Sequence, residues 1–291
     1  MTVTRPLRLS YGFTAFTLET GCQHLTYSAD CPRHKDCLRE TLPVIQRART
    51  LIVTAFTAGG LLGALPAHAD SVSVFTGSLG GTSDFVFRGL SLTRGKPAAQ
   101  ASLDVEFPRE FYVGAFVATT DPNPGPSPPV EMDFWAGRYW QMSQDFSGDL
   151  RLSQYTYPDD PRHKSYNRTE LTATVGFRNQ LYLAAIYSPN TEAVGSSGGY
   201  AEGNAWAVEI SGRHPLNDRY SISAGLGHYG LNEIYHDSYN YWNATLTATL
   251  KPFEIQLAYL GVDQNANDHF TDDSVGDRVA LTALWRFSSA N

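Results

Sequence analysis

The feature that most constrains this chain is a two-residue apolar alternation that recurs, in stretches of about ten residues, from Asp70 to the end. The last stretch, residues 276–287, shows it most fully. Val279, Leu281, Ala283, Trp285 and Phe287 fall on one face of an extended strand, and Arg278, Ala280, Thr282, Leu284 and Arg286 on the other. About ten residues is one tilted membrane-crossing strand. A single strand of this kind suits a soluble sandwich equally well, so the choice of solvent rests on the remainder of the chain.

That remainder repeats the unit. The strand candidates are 71–90, 97–106, 111–120, 131–142, 149–157, 169–177, 181–188, 204–212, 219–228, 239–250, 253–261 and 276–287. Twelve is an even number, which a single-chain bacterial barrel requires if both termini are to lie on one side of the membrane. No apolar run after Asp70 has the length of a membrane helix. The connectors 107–110, 143–148, 178–180, 213–219 and 251–252 are short, whereas 121–130, 158–168, 189–203, 229–238 and 262–275 are longer and richer in Pro, Gly, Asn and Asp. Short turns on one side and long loops on the other is the asymmetry of an outer-membrane barrel. Residues 92–96 are the exception, short where a long loop is required. All twelve prolines after Asp70 fall in connectors or at a strand's first residue, as a residue without an N–H demands.

Residues 51–66 form an apolar run preceded by Arg47 and Arg49 and followed by Ala67-His68-Ala69, the order of a secretory signal peptide. The expected organisation is an unassigned leader or misassigned start over 1–46, a signal peptide over 47–69 cut after Ala69, and a barrel over 70–291. The leader holds Cys22, Cys31 and Cys37, whose spacing matches no zinc pattern. Seven basic and four acidic residues precede Asp70, so the mature chain carries 15 Lys and Arg against 25 Asp and Glu, a net charge of −10. That balance argues against nucleic acid as a partner.

Strand faces sort charge from apolar bulk. Leu103 and Val105 alternate with Asp104 and Glu106, Leu150 and Leu152 with Arg151, and Leu171 and Val175 with Glu170; Val208 and Ile210 flank Glu209, and Phe253 and Ile255 flank Glu254. Residues 131–142 fit either parity. With Phe85 and Phe87 outward, Asp84 and Arg88 point inward, and closure of the first strand on the last brings Arg278 and Arg286 to the same wall. The interior-facing set is therefore Asp84, Arg88, Asp104, Glu106, Arg151, Glu170, Glu209, Glu254, Arg278 and Arg286. A basic strip opposite Asp104, Glu106 and Glu170 sets a transverse field that tunes ion selectivity; alternatively these charges pair and fill the barrel.

Two catalytic signatures are missing, since there is no H-E-x-x-H and no P-loop, and a lipase-like pairing of His228 with Ser221 or Ser223 of its own strand has poor geometry. Residues 263–268 open like a D-x-N-x-N calcium loop, with Asp272 and Asp273 near by, but lack glycine at the sixth place and glutamate at the twelfth. No metal and no cofactor are expected. The partners expected are outer-membrane lipid and, through the C-terminal strand, the barrel-assembly machinery; the sequence sets no oligomeric state.

An ordered set of short segments, Phe87-Arg88-Gly89-Leu90-Ser91, Pro97-Ala98-Ala99-Gln100, Phe111-Tyr112-Val113-Gly114, Glu131-Met132-Asp133, Tyr155-Thr156-Tyr157-Pro158, Thr169-Glu170-Leu171 and Tyr187-Ser188-Pro189, resembles the TorF-type porin family of bacterial outer-membrane proteins. The resemblance implies a barrel and passive transport, with no substrate. Its one departure is the tail after Phe287, since such barrels end on the aromatic residue. The fold expected is an all-β, antiparallel up-and-down transmembrane β-barrel of about twelve strands. The function expected is an outer-membrane porin-like channel for small polar solutes or ions. The rival is a side-chain-filled barrel with a structural or surface-interaction role.

Overall fold

Alternation of bulky apolar and polar residues forbids a helix with one buried face but suits a sheet with two unlike faces. The computed structural model shows that sheet closed on itself. It describes residues 11–12, 17–18, 73–122, 127–158, 160, 166–194, 200–270 and 273–289. All described residues belong to one compact unit. Apart from a pairing of Tyr11–Gly12 with Thr17–Leu18, the expected leader and signal peptide lie outside the described residues.

Twelve strands among the described residues make the barrel: β1 (Val74–Thr82), β2 (Ala98–Glu106), β3 (Phe111–Thr119), β4 (Val130–Gln141), β5 (Phe146–Thr156), β6 (Arg168–Phe177), β7 (Leu181–Val194), β8 (Tyr200–Pro215), β9 (Tyr220–Gly230), β10 (Ser238–Leu250), β11 (Phe253–Val262) and β12 (Arg278–Ser288). Each pairs antiparallel with its neighbours in sequence, and β12 closes on β1 in a register running from Thr282↔Thr82 to Ser288↔Thr76. The tail past Phe287 is part of this seam, because Ser288 pairs with Thr76, while Ser289 N–H donates to the Phe75 carbonyl at 2.9 Å. Pro189 lies inside β7, where a register shift between Ser188 and Thr191 spares it a ladder bond.

The outer face is apolar. Leu257 and Leu281, mid-strand on β11 and β12, are 49% and 51% exposed, and Phe75, Leu152, Ile210 and Leu226 are comparably open. In a soluble protein these side chains would form the core; here they form a continuous belt around the closed sheet, which fits lipid as the surrounding solvent. The residues buried inside include Glu131, Asp133, Glu170, Arg151 and Arg168. Strand 131–142, of ambiguous parity in the sequence, places Glu131, Asp133, Trp135 and Tyr139 inward and Met132 and Phe134 outward.

Two expectations are corrected. The first strand does not run from 71 to 90 but stops at Thr82. Residues 83–97 then form the long loop missing from the series, so the apparent short connector at 92–96 was only its second half. Phe85 and Phe87 consequently do not face outward: Phe85 is fully buried, and Phe87 packs inside on Tyr155 at 6.0 Å between ring centroids.

Candidate functional site

The 83–97 loop turns into the barrel as a tight hairpin in which Val86–Phe87 pairs with Leu90–Ser91. Arg88 (φ 46) and Gly89 (φ 79) supply the two left-handed residues that a two-residue hairpin turn needs. Glycine is also required by space, since a Cβ at 89 would come within 2.4 Å of Val262 Cγ1 and 2.8 Å of the Gly261 carbonyl on the β11 wall. Three walls hold the hairpin through apolar contact. Phe85 packs with Tyr112, Phe116 and Trp135; Val86 with Ala258, Leu260 and Ala280; Leu90 against the cluster around Tyr229, Tyr239 and Val262. Full burial of a side chain such as Phe85 is worth about 1.5–3 kcal/mol, so these contacts dominate the docking.

At the hairpin base one carboxylate organises the polar contacts. Asp84 Oδ1 accepts from Ser91 Oγ at 2.5 Å and Thr93 Oγ1 at 2.9 Å, and Oδ2 accepts from Arg278 Nη1 at 2.8 Å. Backbone bonds tie the same segment to two other long loops, Ser91 N–H to the Ser274 carbonyl at 2.8 Å and Asp121 N–H to the Leu92 carbonyl at 2.7 Å. Arg94 and Lys96 grip the Asp121 carboxylate. Partial burial pushes that carboxyl up, but the hydrogen bonds from Lys96 and Arg94 outweigh it and hold it below the usual aspartate value.

At the tip, Arg88 reaches the far wall. Its Nη1 and Nη2 donate to Glu170 Oε1 and Oε2 at 2.8 and 3.0 Å, and its Nε approaches Glu209 Oε1 at 3.5 Å. Glu170 lies on β6 and Glu209 on β8, each five strands from β1 in opposite directions around the closed order, so the guanidinium spans the lumen. Twelve strands about 4.8 Å apart, tilted about 40°, enclose a backbone cylinder roughly 24 Å across; the hairpin crosses most of that width. The guanidinium also lies over Phe87 at 4.7 Å and Tyr229 at 4.5 Å. Arg168 shares Glu170 through Nε at 3.2 Å and covers Phe87 and Tyr155, while Tyr241 OH donates to Glu209 at 2.5 Å.

The structure therefore brings Arg88, Glu170 and Glu209 together, and Asp84 with Arg278. Arg286 pairs with Glu254 at 2.7 Å at the short-turn end, and Asp104 accepts from Trp135 Nε1 at 3.0 Å. Arg151 is buried on the inner face of β5, and Glu106 is half-buried at the short-turn end of β2. The anticipated basic strip facing an acidic one is not what forms, because Arg88, Arg278 and Arg286 each lie against a carboxylate. Sequence reading missed Glu131, Asp133, Tyr157 and Arg168, which complete the buried polar cluster beside Glu170.

The catalytic pairing fails on geometry: His228 lies on the outer face against Trp206, with Nδ1 2.8 Å from Asn240 Oδ1, whereas Ser221 and Ser223 occupy the opposite, inner parity of β9. The calcium-like segment coils into one helical turn, Gln264–Asn267, and Asp263 Oδ2 accepts from Asn240. Asp272 lies outside the described residues. Among the described residues, no three His, Cys, Asp or Glu side chains converge on a common metal position.

A closed, twelve-strand antiparallel barrel with an apolar outer belt and a charged interior has the fold of the outer-membrane porins. The chain belongs to the Gcw_chp family, described as a bacterial protein of unknown function, whose model matches residues 66–288. Among solved structures, the NanC porin is similar over 72% of this chain and 98% of its own, at 9% identity and a TM-score of 0.50. The KdgM porin aligns over 74% and 99%, at 13% identity and a TM-score of 0.46, and an outer-membrane channel from Pseudomonas putida F1 over 79% and 99%, at 10% identity and 0.42. No curated protein sequence matches the chain.

Proposed function

We propose that this protein is an outer-membrane channel for the passive diffusion of small polar solutes or ions, exported by a signal peptide cut after Ala69 and assembled through its C-terminal strand. The carrying observation is the sorting of the strands into an apolar outer face and an inner face that holds the buried charges, around a closed sheet. A wall of that kind has a use only if the enclosed space is wet or ion-paired. The long loops, on this reading, face the cell exterior, and the TorF-type resemblance of the first half supports the same assignment. The interior charges toward the short-turn end, away from the hairpin, among them Asp104, Glu106, Glu254 and Arg286, line the passage, and no catalytic role is read into the barrel.

One observation favours a second reading. The hairpin spans the lumen and is fixed on all sides, so the barrel is filled at its long-loop end. A barrel that stays filled acts as a structural or surface-interaction protein. Planar-bilayer recording of the purified protein separates the two. Discrete conductance steps support the channel, whereas silence from the wild type and from a variant with the hairpin loosened supports the filled barrel and overturns the channel.

A further inference from the structure

We propose that Glu131 and Asp133 form a binding site for a small divalent cation inside the barrel, at the long-loop end of β4. The two carboxylates occupy successive inward positions on one strand, and both are 0% exposed. Their oxygens are mostly without donors. Glu131 Oε2 accepts from Tyr157 OH, but Glu131 Oε1 and both oxygens of Asp133 have no hydrogen-bond partner. Buried polar groups are satisfied in the great majority of cases, and buried charges are paired or coordinate a metal.

Charge balance points the same way. Beside the pair, two guanidiniums, Arg88 and Arg168, face two carboxylates, Glu170 and Glu209, and make their ionic contacts there. That group of four is neutral in itself, so the field of Arg168 on Glu131 and Asp133 is opposed by that of Glu170 and the charge of the pair is only partly offset. A divalent cation cancels it. A third ligand is at hand in Ser153, whose buried hydroxyl has no partner and which projects from β5 opposite Trp135, diagonal to Asp133. Carboxylate and hydroxyl oxygens with no nitrogen or sulfur suit a hard ion such as Ca²⁺. Tyr157, donating to Glu131, holds that carboxylate in place as outer-shell partners of metal ligands do. Arg168 works against binding, since its charge is near and its Nη2 is unpaired. The affinity therefore belongs at the weak end of the calcium range, with a Kd on the order of 10⁻⁴–10⁻³ M.

The test uses the full chain folded in detergent and stripped with chelator. Tb³⁺ is titrated with excitation of tryptophan, because Trp135 lies one inward position along β4 from Asp133. The expected result is saturable sensitised emission, displaced by Ca²⁺ and reduced at least fivefold in the isosteric Glu131→Gln/Asp133→Asn variant. A Ca²⁺-dependent rise in the thermal unfolding midpoint is expected in the wild type and not in the variant. Heat-modifiable gel mobility checks that the variant is folded, and Asp133→Asn alone replaces it if it is not. Absence of saturable emission from the wild type, or emission equal in the variant, overturns the proposal. So does a wild type blind to Ca²⁺ whose variant is more stable, because the pair would then share a proton.

Discussion

Replacing Arg88 by alanine tests whether the hairpin is a docked plug held at its tip. The side chain is 6% exposed and donates to both oxygens of Glu170 at 2.8 and 3.0 Å. Removing one partner of a buried ion pair costs about 3–5 kcal/mol, chiefly because the other is left uncompensated. Here the survivors are not abandoned. Glu170 keeps Arg168 Nε and Tyr155 OH, each at 3.2 Å, and Glu209 keeps Tyr241 OH. The lower bound, about 3 kcal/mol, is therefore the appropriate figure, and at about 1.4 kcal/mol per factor of ten it raises the undocked fraction of the hairpin roughly 100-fold. Hydrogen exchange reads this directly. The amides of Ser91 and Leu92, bonded to the Ser274 and Phe85 carbonyls, are expected to exchange about 100-fold faster by the same conversion, with amides of the β9–β10 ladder unchanged. Arg88→Lys keeps a charge but not the fork that grips Glu170, and is expected to fall between. Equal protection of the hairpin in wild type and Arg88→Ala would refute the reasoning, since the tip contact would then contribute nothing to docking.

Other outcomes follow from the same geometry. Gly89→Val is expected to undock the hairpin as Arg88→Ala does, because its Cβ would collide with Val262 and the Gly261 carbonyl; exchange at Ser91 and Leu92 checks it. Leu281→Arg, placing a charge mid-strand on the outer face, is expected to cost about 2–4 kcal/mol and lower the yield of membrane-inserted, heat-modifiable protein; an unaffected yield would mean that this face does not meet lipid. The clamp of Arg94 and Lys96 on Asp121 involves a carboxyl whose folded-state pKa is depressed, so its contribution is full above the usual aspartate value and is lost as pH falls through the folded value. Protection of the Lys96 amide, bonded to the Thr93 carbonyl, is expected to persist at pH 5 and decline below about 3.9. Mass spectrometry of membrane-inserted protein is expected to find Asp70 at the N-terminus, and a peptide from before it would sink the export reading.

The barrel was legible because lipid and lumen impose opposite chemistry on alternate residues, and that pattern survives in single strands such as residues 253–261. It misled at residues 83–91, where Phe85, Phe87 and Asp84 alternate as a strand would. The alternation there reflects packing on different inner walls rather than lipid and lumen. The cue was Gly89 behind Arg88, a turn pair without the usual asparagine or aspartate. Glu131 and Asp133 were hidden by aromatics on both faces of β4, where Trp135 and Tyr139 look inward while Phe134 looks out. Arg168 was assigned to a connector. Which charges meet across the lumen depends on loop 83–97 folding inward, and no strand period encodes that.

The seam has a consequence for biogenesis. Phe75 and Ser289, bonded to each other, are separated by 214 positions, so the segment synthesised first among the ribbons is joined last. Until the final residues arrive, two raw edges stay open and adhesive. Clipping either extremity would leave a gaping sheet, not a smaller ring.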